Sequence, residues 1–292
     1  MGDQPISPAD MTNYHHNPTS WPTKKEFRNA KKKFGYVPGN LHVAVVGGGG
    51  AGKSTLVNSF RGLTVRGDNA APTACSRSTI EIGRYPHPDK ESPLARIVWY
   101  DFPGAKGGSE YFNAQSLFIF DFIIVVLGDK FLEQDWDILA QCKMYNKPSC
   151  VVRSKADIHI RNTVSDCGCS YDEALKEYID KSRIYFMKEL MIASGRVGLD
   201  LSNEIFIVSS NPLREFIKSL MDGKAPESTE GLIDEQSLVT NILLAAQKGC
   251  CPSEYGVGWA RKSWTMRGEG VRVAFGSLVI LIATYIFLVR AR

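Results

Sequence analysis

The stretch from 41 to 60 constrains this chain more than any other. Leu41-His42-Val43-Ala44-Val45-Val46 is an apolar, β-branched run; Gly47-Gly48-Gly49-Gly50-Ala51-Gly52-Lys53-Ser54 is a glycine-rich turn; Thr55-Leu56-Val57-Asn58-Ser59-Phe60 opens a helix. Strand, glycine turn and helix in that order are the context that a phosphate-binding loop requires. Glycines let successive backbone N–H groups converge on an anion, and the N-terminus of the following helix adds partial positive charge. The spacing assigns Gly47, Gly49, Gly50, Ala51, Gly52 and Thr55 to the phosphate cradle. Lys53 reaches the β- and γ-phosphates, and the Ser54 hydroxyl holds a Mg²⁺ ion.

Further along, the strand Ala95-Arg96-Ile97-Val98-Trp99-Tyr100 ends on Asp101-Phe102-Pro103-Gly104. A carboxylate at the end of a strand beside the phosphate loop is placed to bind a Mg²⁺ water. Gly104 leaves its N–H free for the γ-phosphate. Between these landmarks runs a small, polar loop, 67–79, in which Thr73 and Thr79 are the two candidates for a hydroxyl that completes the Mg²⁺ shell and senses the γ-phosphate. Thr73 is preferred, because Thr79 leads directly into the alternating segment Ile80-Glu81-Ile82. Lys53 and Thr73 are therefore the catalytic candidates, and Ser54, Thr73 and Asp101 the metal-binding ones.

Asp121-Phe122-Ile123-Ile124-Val125-Val126-Leu127 is nearly continuous in apolar residues, as a central parallel strand covered on both faces must be. Ser149-Cys150-Val151-Val152-Arg153 then leads to Ser154-Lys155-Ala156-Asp157, one residue away from the guanine-reading pattern Asn or Thr, Lys, any residue, Asp. Asp157 accepts from the guanine ring N–H and exocyclic amine while the Lys155 stem covers the ring. Adenine offers no matching donors and leaves a buried carboxylate unpaired, so GTP and GDP are the expected nucleotides. Glu204-Ile205-Phe206-Ile207-Val208 ends on Ser209-Ser210-Asn211, where backbone N–H groups of Ser210 and Asn211 are placed to support the guanine carbonyl.

These residues together resemble a translation-factor-class GTPase domain. More narrowly, Ala70-Ala71-Pro72-Thr73, Tyr85-Pro86-His87-Pro88 and Val98-Trp99-Tyr100-Asp101-Phe102-Pro103-Gly104 resemble the immunity-related GTPases over about residues 40 to 220. The resemblance implies a dynamin-like, self-assembling enzyme at intracellular membranes, with its functional positions on Lys53, Ser54, Thr73, Asp101, Lys155 and Asp157. Where many small GTPases carry a glutamine that orients water, this chain has Ala105. Hydrolysis then needs Lys106, Ser109 or a group from a partner or second copy, and the expectation is slow turnover alone and acceleration by self-association through the nucleotide-binding face. The rivals are a nucleotide-regulated scaffold with negligible hydrolysis and a tail-anchored GTPase of the immune-associated or organelle-import type.

Alternation of strands and helices predicts an α/β fold with a doubly wound, mostly parallel sheet, flanking helices and a C-terminal hydrophobic helix. The expected organisation is a polar and basic helical segment at 1–40, a GTPase domain at 41–223, a linker and helix at 224–265 and a membrane anchor at 266–292. In the first segment Phe27, Ala30 and Phe34 recur at helical spacing beside Lys24, Lys25, Arg28 and Lys31-Lys32-Lys33. This helix suits either an anionic membrane or, the favoured reading, the core of the neighbouring domain. In the last, residues 273–289 carry no charge and span roughly 26 Å as a helix, the lower limit for crossing a bilayer. Trp259, Arg261, Lys262, Trp264, Arg267 and Arg272 precede it as a cytosolic interfacial flank. The expected location is the cytosolic face of an intracellular membrane. A net charge of +4 gives no ground for nucleic acid as a partner, and seven cysteines without repeating spacing fit a reducing compartment.

Overall fold

In the computed structural model, residues 21–73, 81–92, 94–105, 110–197, 204–222 and 231–247 are described. Six strands, β1 (Leu41–Gly47), β2 (Gly83–Pro86), β3 (Ile97–Asp101), β4 (Phe122–Leu127), β5 (Ser149–Arg153) and β6 (Ile205–Ile207), form one sheet in the order β2-β3-β1-β4-β5-β6. Neighbours run parallel except β2 and β3, which are antiparallel. β1, β3 and β4 are buried along their whole length. That double-sided burial is why their sequences are apolar apart from His42 in β1 and Asp101 at the end of β3. The short β2 at the edge alternates in exposure and starts at Gly83, beyond the alternating segment expected from Glu81 and Ile82. Residue 80 lies outside the described residues.

Helices α1 (Lys24–Lys33), α2 (Lys53–Phe60), α3 (Tyr111–Ala114), α4 (Glu133–Met144), α5 (Ala156–Cys167), α6 (Tyr171–Val197), α7 (Ser210–Met221) and α8 (Glu235–Gln247) flank the sheet. Successive strand residues point to opposite faces, so Trp99 joins one core with Leu56, Phe60, Phe216 and Ile242, while Tyr100 joins the other with Phe34, Phe112, Phe120 and Ile138. Helices α2, α7 and α8 cover the first face, and α1, α4, α5 and α6 the second.

The N-terminal helix is started by a reciprocal cap, the Glu26 N–H donating to Thr23 Oγ1 at 3.2 Å and the Thr23 N–H to Glu26 Oε2 at 2.7 Å. Of its two possible seats the apolar stripe takes the core: Phe27, Ala30 and Phe34 are buried, with Phe34 edge-on to Phe120 at 5.3 Å. Lys24, Lys25, Arg28, Lys32 and Lys33 stay exposed. Among the described residues no helix is long and apolar enough to cross a membrane. The segment 273–289 and its aromatic and basic flank lie outside them.

All five parallel strands point their carboxyl ends the same way, which brings the loops after β1, β3, β4, β5 and β6 to one rim of the sheet. In an open α/β sheet that rim is where ligands bind.

Candidate functional site

The loop after β1 can exist only with glycine at its ends. Gly47 has φ +129°, and a Cβ there would lie 2.2 Å from the Val126 carbonyl oxygen on β4. Gly52 sits in the left-handed region at φ +94° where α2 begins. The turn delivers Lys53 into a buried position, 6% exposed, with Nζ donating to the carbonyls of Gly47 at 3.1 Å and Gly48 at 2.8 Å. Burial pushes the lysine below its ordinary pKa, and the negative charges of Asp101 and Asp135 oppose that fall. The ammonium is thus curled over the loop it would share with phosphate.

Beside it, the Ser54 hydroxyl donates to Asp101 Oδ2 at 2.5 Å, and Asp101 is fully buried at the end of β3. A hydroxyl and a carboxylate in contact next to the phosphate loop are hard oxygen donors of the kind Mg²⁺ prefers, so the two residues fit that ion. The segment after Asp101 closes onto the loop: the Ala105 N–H donates to the Gly47 carbonyl at 3.0 Å. A Cβ on Gly104 would lie 2.9 Å from the backbone of Gly49. Ala105 itself is buried. Thr73 lies two residues beyond a clamp in which Asn58 of α2 holds Ala71 by both backbone groups, at 2.7 and 2.9 Å. Thr79, Lys106 and Ser109 lie outside the described residues.

The segment 154–157, expected to read the base, is fastened to the same loop. Ser154 Oγ donates to the Ala51 carbonyl at 2.5 Å, and Lys155, in the left-handed region at φ +64°, donates from Nζ to the Gly50 carbonyl at 2.6 Å. Asp157 stands in the first turn of α5, where Oδ2 accepts from the Arg161 guanidinium at 2.8 Å one turn further on. Ser210 and Asn211 open α7 immediately before Pro212, which lies in the first turn, where its missing N–H costs nothing. The Ser210 carbonyl accepts from Ser59 Oγ at 2.8 Å, and the Ala156 N–H donates to Val208, which ties the last loop to both α2 and α5.

Three residues that spacing alone did not single out take part. Glu235 of α8 is fully buried and accepts from the Ser209 N–H at 2.6 Å and the Ile233 N–H at 2.5 Å; burial pushes its carboxyl up to about 7. Asp135 near the start of α4 is 1% exposed and pushed up to about 6 by burial. Arg161 was legible in principle, since residues four apart on a helix face one another.

Residues 35–193 match the profile of a family described as "Interferon-inducible GTPase (IIGP)". Interferon-inducible GTPase 1 of Mus musculus is 30% identical over 137 residues, which are 46% of this chain and 32% of that protein. T-cell-specific guanine nucleotide triphosphate-binding protein 2 of Mus musculus is 28% identical over 182 residues, 60% of this chain and 41% of that protein. The chain thus spans well under half the length of these relatives. Among solved structures, the bacterial selenocysteine-specific elongation factor EF-Sec overlaps 63% of this chain and 28% of its own at 19% identity and a TM-score of 0.39.

Proposed function

Since the chain belongs to the interferon-inducible GTPase family, we propose that it is a guanine-nucleotide switch that binds GTP and GDP with Mg²⁺ and hydrolyses GTP. It turns over slowly alone and faster when copies meet through their nucleotide-binding faces, at the cytosolic side of an intracellular membrane. One observation carries the reading. Lys53, Ser154 and Lys155 all donate to carbonyls of the single turn 47–52, and the Ser54 and Asp101 pair stands at the start of the helix that follows it.

In this reading Asp157 accepts two donors of guanine, the Lys155 stem covers the ring, and Ser210 and Asn211 offer backbone N–H groups to its carbonyl. Lys53 leaves the carbonyls of Gly47 and Gly48 for the β- and γ-phosphates, and the glycine N–H groups surround the rest. Ser54 and Asp101 hold Mg²⁺, with Thr73 closing on it; the ion, when bound, neutralises charge developing on the phosphoryl oxygens. Gly104 meets the γ-phosphate through its N–H. The attacking water is oriented by Lys106, Ser109 or a group of a second copy, because the Ala105 side chain has no hydrogen-bonding atom. Residues 273–289 serve as the anchor.

Purified full-length chain tests this: GTP, but not ATP, binds in calorimetry, and phosphate release per molecule rises with protein concentration. Release that stays at background at every concentration, with GTP still bound, supports the second reading, a nucleotide-regulated scaffold, which the apolar Ala105 favours. Membrane attachment is tested by fractionating a fluorescent fusion with and without residues 273–292; the same soluble distribution for both refutes the anchor.

A further inference from the structure

Helix α1 lies along the edge of the sheet opposite the rim where the nucleotide would sit. The chain entering it is held at Tyr145, which ends α4 shortly before β5: the ring centroids of Trp21 and Tyr145 are 4.6 Å apart. Its middle packs Phe27 against Phe118 at 5.7 Å, in the turn that leads into β4. The chain leaving it is held at Asp121, the residue before β4, which accepts the Tyr36 hydroxyl at 2.8 Å, and at His42 of β1, whose Nε2 meets the Val37 N–H at 3.0 Å. Each of these moorings stands at the amino end of a parallel strand. The outer side of the helix is where its charge gathers. From Trp21 to Val37 the chain carries six Lys and Arg against one carboxylate, Glu26, while the net charge of the whole is only +4, so the remaining residues balance to within one charge. Lys24, Arg28 and Lys32, four apart, form one ridge with Lys25 beside it, and all four are exposed. Each residue turns a helix by about 100°, which puts Glu26 on the other flank, where it is engaged with Thr23. Lys25, Arg28 and Lys32 form no ion pair among the described residues. Trp21, just before the cap, is 51% exposed.

We infer that the outer side of α1 is a docking surface for an anionic lipid bilayer, a second attachment besides the proposed anchor at 273–289 and one that needs no nucleotide. Lys and Arg held within a Debye length of an anionic leaflet are each drawn to it, and an indole at headgroup level adds amphipathic contact. The ridge from Lys24 to Lys32 is convex and about 12 Å long, so it touches several headgroups at once where a pocket would enclose one. The apolar stripe of the helix stays in the protein core, so the contact is electrostatic and peripheral. Docked in this way, the domain turns its nucleotide rim away from the lipid, where a second copy can reach it.

The test is cosedimentation of the full chain with vesicles of phosphatidylcholine, alone or with phosphatidylserine added, at low and at high salt. At low salt the anionic vesicles are expected to bind at least about tenfold more tightly than the neutral ones, and high salt removes the difference. The proposed anchor acts on both kinds of vesicle, so the ratio isolates the charged surface. Lys25→Gln, Arg28→Gln and Lys32→Gln together should lower that ratio at least about fivefold, while Lys130→Gln, Lys176→Gln and Lys188→Gln, exposed positions on other elements, leave it within about twofold. Equal losses for the two sets overturn the proposal, because attachment then follows net charge and not α1; a ratio that the first set leaves unchanged overturns it as well. A second measurement keeps the charges intact: anionic lipids carrying bromine should quench a larger fraction of the indole emission in the original chain than in Trp21→Phe, and equal quenching overturns the placement of this side on the bilayer. RNA that strips the chain from anionic vesicles at equal charge concentration overturns it in favour of a nucleic acid.

Discussion

The Ser154 hydroxyl donates to the Ala51 carbonyl at 2.5 Å, so the residue that begins the segment proposed to read the base also closes the turn proposed to hold phosphate. Ser154 is 3% exposed, and its removal leaves a buried carbonyl without its donor. Ser154→Ala is therefore expected to cost about 1–3 kcal/mol of stability. GTP affinity should fall with it, since both ends of the site move. Ser154→Thr keeps the hydroxyl and should retain both properties. Thermal denaturation and calorimetry check this; an Ala variant as stable and as tight as the original refutes the coupling.

Asp157→Asn replaces an acceptor by an amide that turns an N–H₂ toward guanine donors. GTP should weaken at least about a hundredfold, because a site built around hydrogen bonds rejects a ligand that cannot complete them. Xanthosine triphosphate, with a carbonyl where guanine has its amine, should gain in the same variant. Arg161→Ala, by contrast, removes a cation whose side chain is 64% exposed, and the change in GTP affinity should stay within a few-fold. Competition against a fluorescent GTP analogue reads all three.

Gly104→Ala puts a methyl group 2.9 Å from the backbone of Gly49, closer than real contacts allow. The segment 101–105 must then retreat from the phosphate loop. GDP affinity is expected to hold within a few-fold, while single-turnover phosphate release drops at least about tenfold, in line with losing one backbone donor at a developing charge. Hydrolysis equal to that of the unmodified chain contradicts the assigned role of the Gly104 N–H.

Glu235 links pH to stability. Its pKa is raised from 4.5 to about 7 by burial, so between those values the folded protein keeps a proton that the unfolded chain has released. Its contribution is fully present below pH 4.5 and is lost as pH rises through 7, by about 3 kcal/mol at most. Asp121 and Asp135, raised to about 7 and about 6, act in the same direction. His42, lowered to about 4 by burial, acts in the opposite one, losing stability as pH falls. The informative quantity is thus the difference between Glu235→Gln and the original. The variant should gain relative stability between pH 5 and pH 8 in urea unfolding; an equal difference at both values refutes the assignment.

The glycine turn between β1 and α2 and the position of Asp101 at the end of β3 were legible because strand, turn and helix there fix residue type and spacing together. Strands β1, β4 and β5 were legible because burial on both faces writes itself as an apolar run. Helix α4 escaped notice. Its buried residues include Asp135, Asp137 and Gln141 among Ile138, Leu139 and Cys142, so no clean apolar stripe marks it. The same applies to the roles of Asp135 and Glu235. Each is one carboxylate in a helix's first turn, and what makes it special is depth of burial, which depends on the strands and loops packed around it. Antiparallel β2 is four residues long and half exposed, too short for periodicity to locate.

Helix α8 begins with the carboxylate that holds Ser209, and Ser209 directly precedes the pair proposed to support the guanine carbonyl. Helix α8 is consequently tethered, at its first residue, to the rim where the base would sit. Displacing Glu235 therefore removes the acceptor of the Ser209 N–H, so α8 and the loop after β6 share one point of attachment.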